Sequence, residues 1–158
     1  TVLNAKLTAE GVLALIISNS EKSVFENNIL ILGSGRVGKA INMLLNKLNL
    51  NITIATFHEE KITETLLMNS KVVYFYSPDF SLEQYDIIIN TVPLQILDDN
   101  LLKQVQSDAA ILEIASVNCL NKEKLNEYAF KYILAPGLPM VYCPKAAADI
   151  MFKSIVSL

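Results

Sequence analysis

Residues 27–45 read NNILILGSGRVGKAINMLL, and this stretch decides the fold. A short aliphatic run, Asn28 to Leu32, leads into the G-x-G-x-x-G spacing of Gly33, Gly35 and Gly38. Apolar residues then recur from Val37 to Leu48 at i, i+3, i+4, i+7, i+8 and i+11, which predicts a helix with one apolar face. A buried strand, a glycine-rich turn and a helix in this order are typical of a dinucleotide-binding unit.

Each glycine of the motif has a predicted physical role. Gly33 lets the chain turn sharply after the strand, Gly35 leaves room for a pyrophosphate against the backbone, and Gly38 lets the helix pack close to the sheet. The phosphates are expected at the helix N-terminus, where free N–H groups and the helix dipole favour negative charge. A glycine-rich turn without a ligand is the alternative, but the flanking strand and helix favour the nucleotide site. The predicted cofactor contacts in this turn are Gly33, Ser34, Gly35, Arg36, Val37 and Gly38.

Strand and helix patterns alternate along the rest of the chain. Strands are predicted at 28–32, 51–55, 71–76, 86–90, 109–115 and 131–134, and the longer helices at 8–18, 37–48, 59–68, 122–129 and 144–158. This alternation predicts an α/β fold, a Rossmann-like doubly wound parallel sheet of order 3-2-1-4-5-6 with an extra N-terminal helix. We expect residues 1–26 to form the N-terminal helix and a connector, and residues 27–158 to form the dinucleotide-binding domain.

The end of the second predicted strand bears on the choice of cofactor. A site for NAD usually has Asp or Glu there, about 20 residues after the glycines, to hold the ribose 2′-OH. This sequence has Ala55 and Thr56 instead, so no carboxylate repels a 2′-phosphate. Donors to such a phosphate are available nearby, each equally consistent with a solvated side chain: Arg36, Thr56, His58 and Lys61. We therefore predict NADP, with NAD as the alternative.

Two further strand ends are predicted to meet the cofactor, because ligands of open α/β sheets bind where the strand order reverses. Strand 4 ends in Asn90, Thr91, Val92 and Pro93, and strand 5 ends in Ala115 and Ser116. Simple capping of the next helix explains the same residues, since Asn, Thr and Ser are good caps.

Lys145 is predicted in the first turn of the last helix. A cation is unfavourable at a helix N-terminus. This favours a role for Lys145 toward an anionic ligand, with an exposed lysine as the alternative.

The composition excludes several function classes. His58 is the only histidine and is predicted at the adenosine end of the fold, which excludes Ser-His-Asp hydrolysis and a multi-histidine metal site. Cys119 and Cys143 have neither CxxC nor zinc spacing. The net charge is -3 and no long basic run occurs, so no nucleic-acid partner is expected. The N-terminal apolar run is too short for a bilayer and lacks a cationic leader, so we expect a cytoplasmic protein without a membrane partner.

The chain resembles the C-terminal, cofactor-binding domain of the dipicolinate synthase family, in its A-type subunit. The resemblance rests on segments that follow one another along the chain: LTAEG (7–11), ILGSGRVG (31–38), INTVP (89–93), LEIAS (112–116), LAPGLP (134–139) and PKAAADI (144–150). It implies a sporulation enzyme that oxidises dihydrodipicolinate, a small cyclic dicarboxylate, to dipicolinate with NADP. It also implies a flavoprotein-like B-type subunit as partner, a separate N-terminal domain missing from this chain, and Lys145 and Ser116 as candidate catalytic residues.

The sequence departs from the family pattern in the segments that are predicted to contact the substrate and the 2′-phosphate of the cofactor. Val117-Asn118-Cys119 replaces a usual Pro-Gly-Gly turn, Met140 replaces a usual glycine, and Phe57 stands where a basic residue is expected. A different small substrate therefore stays an alternative to dihydrodipicolinate.

Two alternative functions also stay open. One is an NAD(P)-binding regulatory sensor, which generally has Asp at the end of strand 2. The other is a different nicotinamide dehydrogenase, such as a 2-hydroxyacid dehydrogenase. That class relies on a later His and Arg, whereas here no histidine follows His58 and Arg36 is the only arginine.

Overall fold

The computed structural model describes residues 2–66, 70–115, 120 and 125–156. Within them, six parallel strands form one sheet in the order β3-β2-β1-β4-β5-β6, which confirms the predicted Rossmann-like order. The strands are β1 (Asn28–Leu32), β2 (Asn51–Thr56), β3 (Lys71–Tyr74), β4 (Ile87–Asn90), β5 (Ala110–Glu113) and β6 (Lys131–Leu134). The helices are α1 (Val2–Asn19), α2 (Arg36–Lys47), α3 (Lys61–Leu66), α4 (Asp99–Leu102), α5 (Leu138–Tyr142) and α6 (Pro144–Val156), with one 3₁₀ turn at Val24–Glu26.

The central strand β1 is buried on both faces. Ile29 and Ile31 pack into one apolar cluster together with side chains of α1 and α2. Leu30 and Leu32 point to the opposite face and pack into a second cluster under the loops that follow β3 and β4. A strand covered on both faces has no solvent side, which explains why its sequence is continuously aliphatic and does not alternate.

The N-terminal helix α1 begins at Val2, earlier than predicted, and belongs to the main core. Val12 and Ile16 are fully buried and lie in the same cluster as Ile29 and Ile31. In the described part of the chain, α1 alone is long and apolar enough to cross a membrane, a test that the core helix of a soluble protein also passes. The boundary after residue 26 stays a prediction.

The sequence did not predict α5, which begins directly after Gly137. This glycine has φ +72, a backbone conformation that L side chains rarely adopt. The helix packs closely on α1. An added Cβ on Gly11 of α1 would lie only 2.8 Å from Leu138 Cβ, so a side chain at position 11 would prevent this contact. Two of the segments that carry the family resemblance, 7–11 and 134–139, therefore pack against each other.

Some predictions fall on residues outside the described ranges. These are Ser116, the departures at 117–119, the ends of the helices predicted at 59–68 and 144–158, and the start of the helix predicted at 122–129.

Candidate functional site

The turn after β1 is tightly constrained by its first glycine. Gly33 has φ +101, and an added Cβ would lie 2.7 Å from Thr91 Oγ1 and 2.9 Å from Val92 Cγ2. The Gly33 N–H donates to the Ala55 carbonyl at 2.9 Å. Gly33 therefore serves both the turn and the close approach of the segment that follows β4.

The other two glycines of the motif differ in what surrounds them. An added Cβ on Gly38 would lie 2.0 Å from the Gly33 carbonyl oxygen, so the third glycine allows α2 to pack against the turn. Gly35 is exposed, and among the described residues nothing lies within 4 Å of an added Cβ. The backbone at Gly35 therefore faces open space at the end of α2.

The N-terminus of α2 has the polarity that an anion requires. Gly35 is its N-cap, and the first bond from an N–H after it runs from Lys39 to the Gly35 carbonyl at 2.9 Å. The N–H groups of the first turn consequently point out of the helix end. The first turn contains no acidic residue and begins with the exposed Arg36. Partial positive charge is thus uncompensated at the point where Gly35 leaves open space.

The residues predicted to reach a 2′-phosphate occupy different environments. Thr56 is fully buried at the end of β2, 3.2 Å from the Ser34 hydroxyl and close to the backbone of His58. The His58 ring is exposed, with Nδ1 3.5 Å from a carboxylate oxygen of Glu60. Arg36 is exposed and Lys61 is half-buried. The Thr56 hydroxyl thus joins the ends of β1 and β2, whereas Arg36 and His58 are accessible.

An aromatic cluster lies beside the ends of β2 and β3 and was not predicted. The Phe57 ring lies 4.4 Å from the Phe75 ring and 5.9 Å from the Tyr76 ring, centroid to centroid. Tyr76 is 64% exposed. The register that pairs Thr56 with Tyr74 brings the residues after both strands together. The available signal was the aromatic run YFY at 74–76 on a strand next to one followed by Phe57.

The segment after β4 is fixed to the glycine turn. Thr91 Oγ1 donates to the Leu32 carbonyl at 2.8 Å, and the Val92 N–H donates to Asn90 Oδ1 at 3.1 Å. Asn90 is buried, whereas Pro93 is exposed. Of the residues predicted at the end of strand 4, the structure thus brings Thr91 and Val92 next to Gly33.

Glu113 is a buried acid at the end of β5 that sequence reasoning missed. Asn90 Nδ2 donates to both of its carboxylate oxygens, at 3.1 and 3.0 Å. The Ala115 N–H and the Tyr132 hydroxyl lie 3.3 Å from the same group. Burial raises the pKa of the Glu113 carboxyl, and the three donors oppose that shift. The available signal was a glutamate inside the aliphatic run ILEIA.

Lys145 is exposed in the first turn of α6.

In the described ranges, no group of three or more His, Cys, Asp or Glu side chains is arranged to hold a metal ion.

Comparisons with known proteins give the same assignment at the level of family and fold. The family model of the D-isomer specific 2-hydroxyacid dehydrogenase NAD binding domain matches residues 15–132. The A-type subunit of dipicolinate synthase from Bacillus subtilis (strain 168) is 30% identical over 156 residues, which is 95% of this chain and 51% of that protein. The resemblance found in the sequence is thereby confirmed.

Solved structures agree on the fold. The corresponding dipicolinate synthase subunit from Bacillus halodurans has a TM-score of 0.92 at 24% identity, covering 99% of this chain and 54% of that one. The Bacillus subtilis structure has a TM-score of 0.87 at 26% identity, with 98% and 52% coverage. A transhydrogenase from Sinorhizobium meliloti has a TM-score of 0.74 at 11% identity, with 99% and 54% coverage. The chain spans about half the length of these relatives.

Proposed function

The chain belongs to the family of D-isomer specific 2-hydroxyacid dehydrogenase NAD-binding domains, and from this premise we propose that it is the cofactor-binding part of an enzyme that oxidises dihydrodipicolinate to dipicolinate. The single observation that carries the nucleotide site is the open space at Gly35, at the uncompensated N-terminus of α2. The ring substrate is proposed from the similarity to the dipicolinate synthase subunit of Bacillus subtilis.

The dinucleotide would lie along the carboxyl edge of the sheet. Its diphosphate would accept hydrogen bonds from the first N–H groups of α2, beside Gly35 and Arg36. The adenosine half would extend toward β2 and β3, where the exposed Tyr76 and the half-buried Phe57 offer aromatic surface. The nicotinamide half would extend toward the ends of β4 and β5, near Thr91. The cofactor accepts the hydride, so the chain itself needs to bind and orient the reactants.

The substrate and the partners follow from the longer relatives. A cyclic dicarboxylate requires cations, and Lys145 is the residue that we propose for one carboxylate. Further cations would come from an N-terminal domain, since the relatives are about twice as long as this chain. A flavoprotein-like B-type subunit of the synthase is the proposed partner. Ser116, which lies outside the described residues, stays a predicted cofactor contact and candidate catalytic residue.

The reaction can be tested with the complete polypeptide and its partner subunit. We expect dihydrodipicolinate to reduce the bound nicotinamide, seen as a rise in its near-ultraviolet absorbance. Lys145→Ala should lower kcat/KM by roughly tenfold, because one carboxylate loses its charged partner. Lys153→Ala, which removes an exposed lysine from the last turn of the same helix, is the matched control. Cofactor binding without turnover on any ring dicarboxylate would instead favour the sensor function.

We propose NADP as the preferred cofactor. No carboxylate stands at Ala55 or Thr56, and the exposed Arg36 is a cation in the first turn of α2, directly after Gly35. In calorimetric titrations we expect NADP to bind more tightly than NAD. Arg36→Ala should weaken NADP binding by about tenfold and NAD binding by less, since the 2′-phosphate carries the additional charge.

Lys47→Ala provides the matched control for this experiment. Lys47 lies in the last turn of α2 and is exposed, so its removal changes the net charge equally at the opposite end of the helix. Tighter binding of NAD than of NADP, or equal losses for both cofactors in Arg36→Ala, would contradict the preference.

A further inference from the structure

The Glu113 carboxylate is an unusual group at the edge of the sheet where the proposed cofactor lies. It is fully buried, and among the described residues it forms no ion pair. Its hydrogen-bond donors are neutral: an amide, a backbone N–H and a phenol. Burying a carboxylate without an opposite charge is costly, and an apolar side chain would fill such a position at a lower cost in free energy. Because of this cost in free energy, we expect Glu113 to have a role other than filling the core.

The neighbours of Glu113 connect it to both strand ends of the site. Register places Asn90 of β4 directly beside Glu113 of β5, on the same face of the sheet. The Ala115 N–H donates to Oε1, so the carboxylate also fixes the exit of β5. Glu113 therefore lies between the two segments that would flank the nicotinamide half of the cofactor.

The orientation of the Asn90 carboxamide follows from this contact. Asn90 turns Nδ2 toward Glu113 and donates to both of its carboxylate oxygens, which is the arrangement that a group accepting hydrogen bonds requires. That leaves Oδ1 to accept the Val92 N–H at 3.1 Å. If the carboxamide flipped, Nδ2 would face the Val92 N–H, and two donors would oppose each other. The carboxylate thus determines the shape of the turn at 90–93.

We propose that Glu113 is a positioning residue: by orienting Asn90, it holds the Asn90–Pro93 turn and the exit of β5 in the arrangement that receives the nicotinamide half of the cofactor. This inference rests on the proposed function, because it presupposes a nicotinamide dinucleotide in the site. Glu113 acts on the cofactor through Asn90 and the backbone, without touching it. The adenosine half, at the ends of β1 and β2, is independent of this contact.

The test compares two probes on the complete polypeptide by calorimetry: NADP, and adenosine 2′-phosphate 5′-diphosphate, which keeps the adenosine half of NADP and lacks the nicotinamide half. Glu113→Leu is expected to weaken NADP binding by about tenfold or more while changing binding of adenosine 2′-phosphate 5′-diphosphate by less than about twofold. A loss of general stability would weaken both probes together, so the ratio of the two dissociation constants reports the positioning role. Glu113→Gln keeps one acceptor oxygen and should restore most of the NADP affinity.

A double-mutant cycle supplies the second readout. Asn90→Leu should reproduce the loss seen in Glu113→Leu, and the double variant should lose no more than either single variant, because both act through one contact. Tyr132→Phe removes another donor to Glu113 but leaves Asn90 in place, so its NADP affinity should stay near that of the wild type. Equal losses for both probes, or additive losses in the double variant, overturn the inference alone. Failure of the wild-type protein to bind NADP and NAD overturns the proposed function, and the inference with it.

Discussion

Gly35→Asp is expected to lower cofactor affinity by about 100-fold, or ~3 kcal/mol, while the domain stays folded. The new carboxylate would accept the same N–H groups of α2 that the diphosphate needs, and its charge would repel the phosphates. The fold should tolerate it, because Gly35 has φ −75 and open space around an added Cβ. Asp is also among the best N-cap residues, so the helix should gain a few tenths of a kcal/mol relative to Gly.

This separation of binding from stability is what makes the variant informative. Calorimetry would give the dissociation constant for NADP, and urea unfolding would give the free energy of unfolding. Gly35→Asn is the matched control, since it has nearly the same size and capping ability without the charge. It should retain roughly tenfold more affinity than the aspartate, if charge repulsion supplies about half of the effect. Unchanged NADP affinity in Gly35→Asp would mean that the diphosphate does not sit at α2.

The strand order and the glycine turn were predictable because their signals are local. The continuous aliphatic run of β1 indicates burial on both faces, and the apolar stripe of α2 indicates which side meets the sheet. The structure agrees in detail: Ile41 and Leu45 are fully buried, while Leu48, at the end of the stripe, is the partly exposed C-cap. A parallel sheet with right-handed crossovers then leaves few arrangements open.

The helix α5 was not predictable because its cause is not local. It is only five residues long, too short to show a helical repeat of apolar residues, and the β-branched Val141 does not favour a helix. Its position depends on Leu138 packing on Gly11, more than a hundred residues earlier in the chain. Such contacts become visible only when the sheet has placed both segments.

The sequence predicted which strand ends form the candidate site, but it did not predict the hydrogen bonds between their side chains. The sequence indicates that Thr56 follows its strand directly and that Asn90 ends its own, and in the structure both are the last residues of their strands. Their side-chain directions depend on register, which pairs Asn90 with Glu113 and brings Ser34 to Thr56. Because a shift of one residue reverses every side chain in a strand, polar pairs across strands cannot be read from residue types alone. Glu113 was missed for this reason.

Gly38→Ala is expected to destabilise the domain by about 3 kcal/mol, at the upper end of the usual cost of overpacking. An added Cβ would lie 2.0 Å from the Gly33 carbonyl oxygen and 3.1 Å from its carbon, and both are backbone atoms that cannot rotate away. The intrinsic preference of helices for Ala over Gly, up to about 1 kcal/mol, offsets only part of this cost. Urea unfolding should show a lower midpoint with an unchanged slope.

Gly35→Ala adds the same methyl group three residues earlier, at an N-cap with open space, and should cost at most about 1 kcal/mol. The contrast between the two alanines therefore measures the close approach of α2 to the turn. Relief of the overlap requires α2 or the Gly33 peptide to move, and Gly33 cannot move freely because Thr91 and Val92 fill the space that its side chain would take. Gly38→Ala should consequently weaken NADP binding as well as stability, whereas Gly35→Asp weakens binding alone. Equal unfolding free energies for the two alanine variants would show that the third glycine is not required for packing.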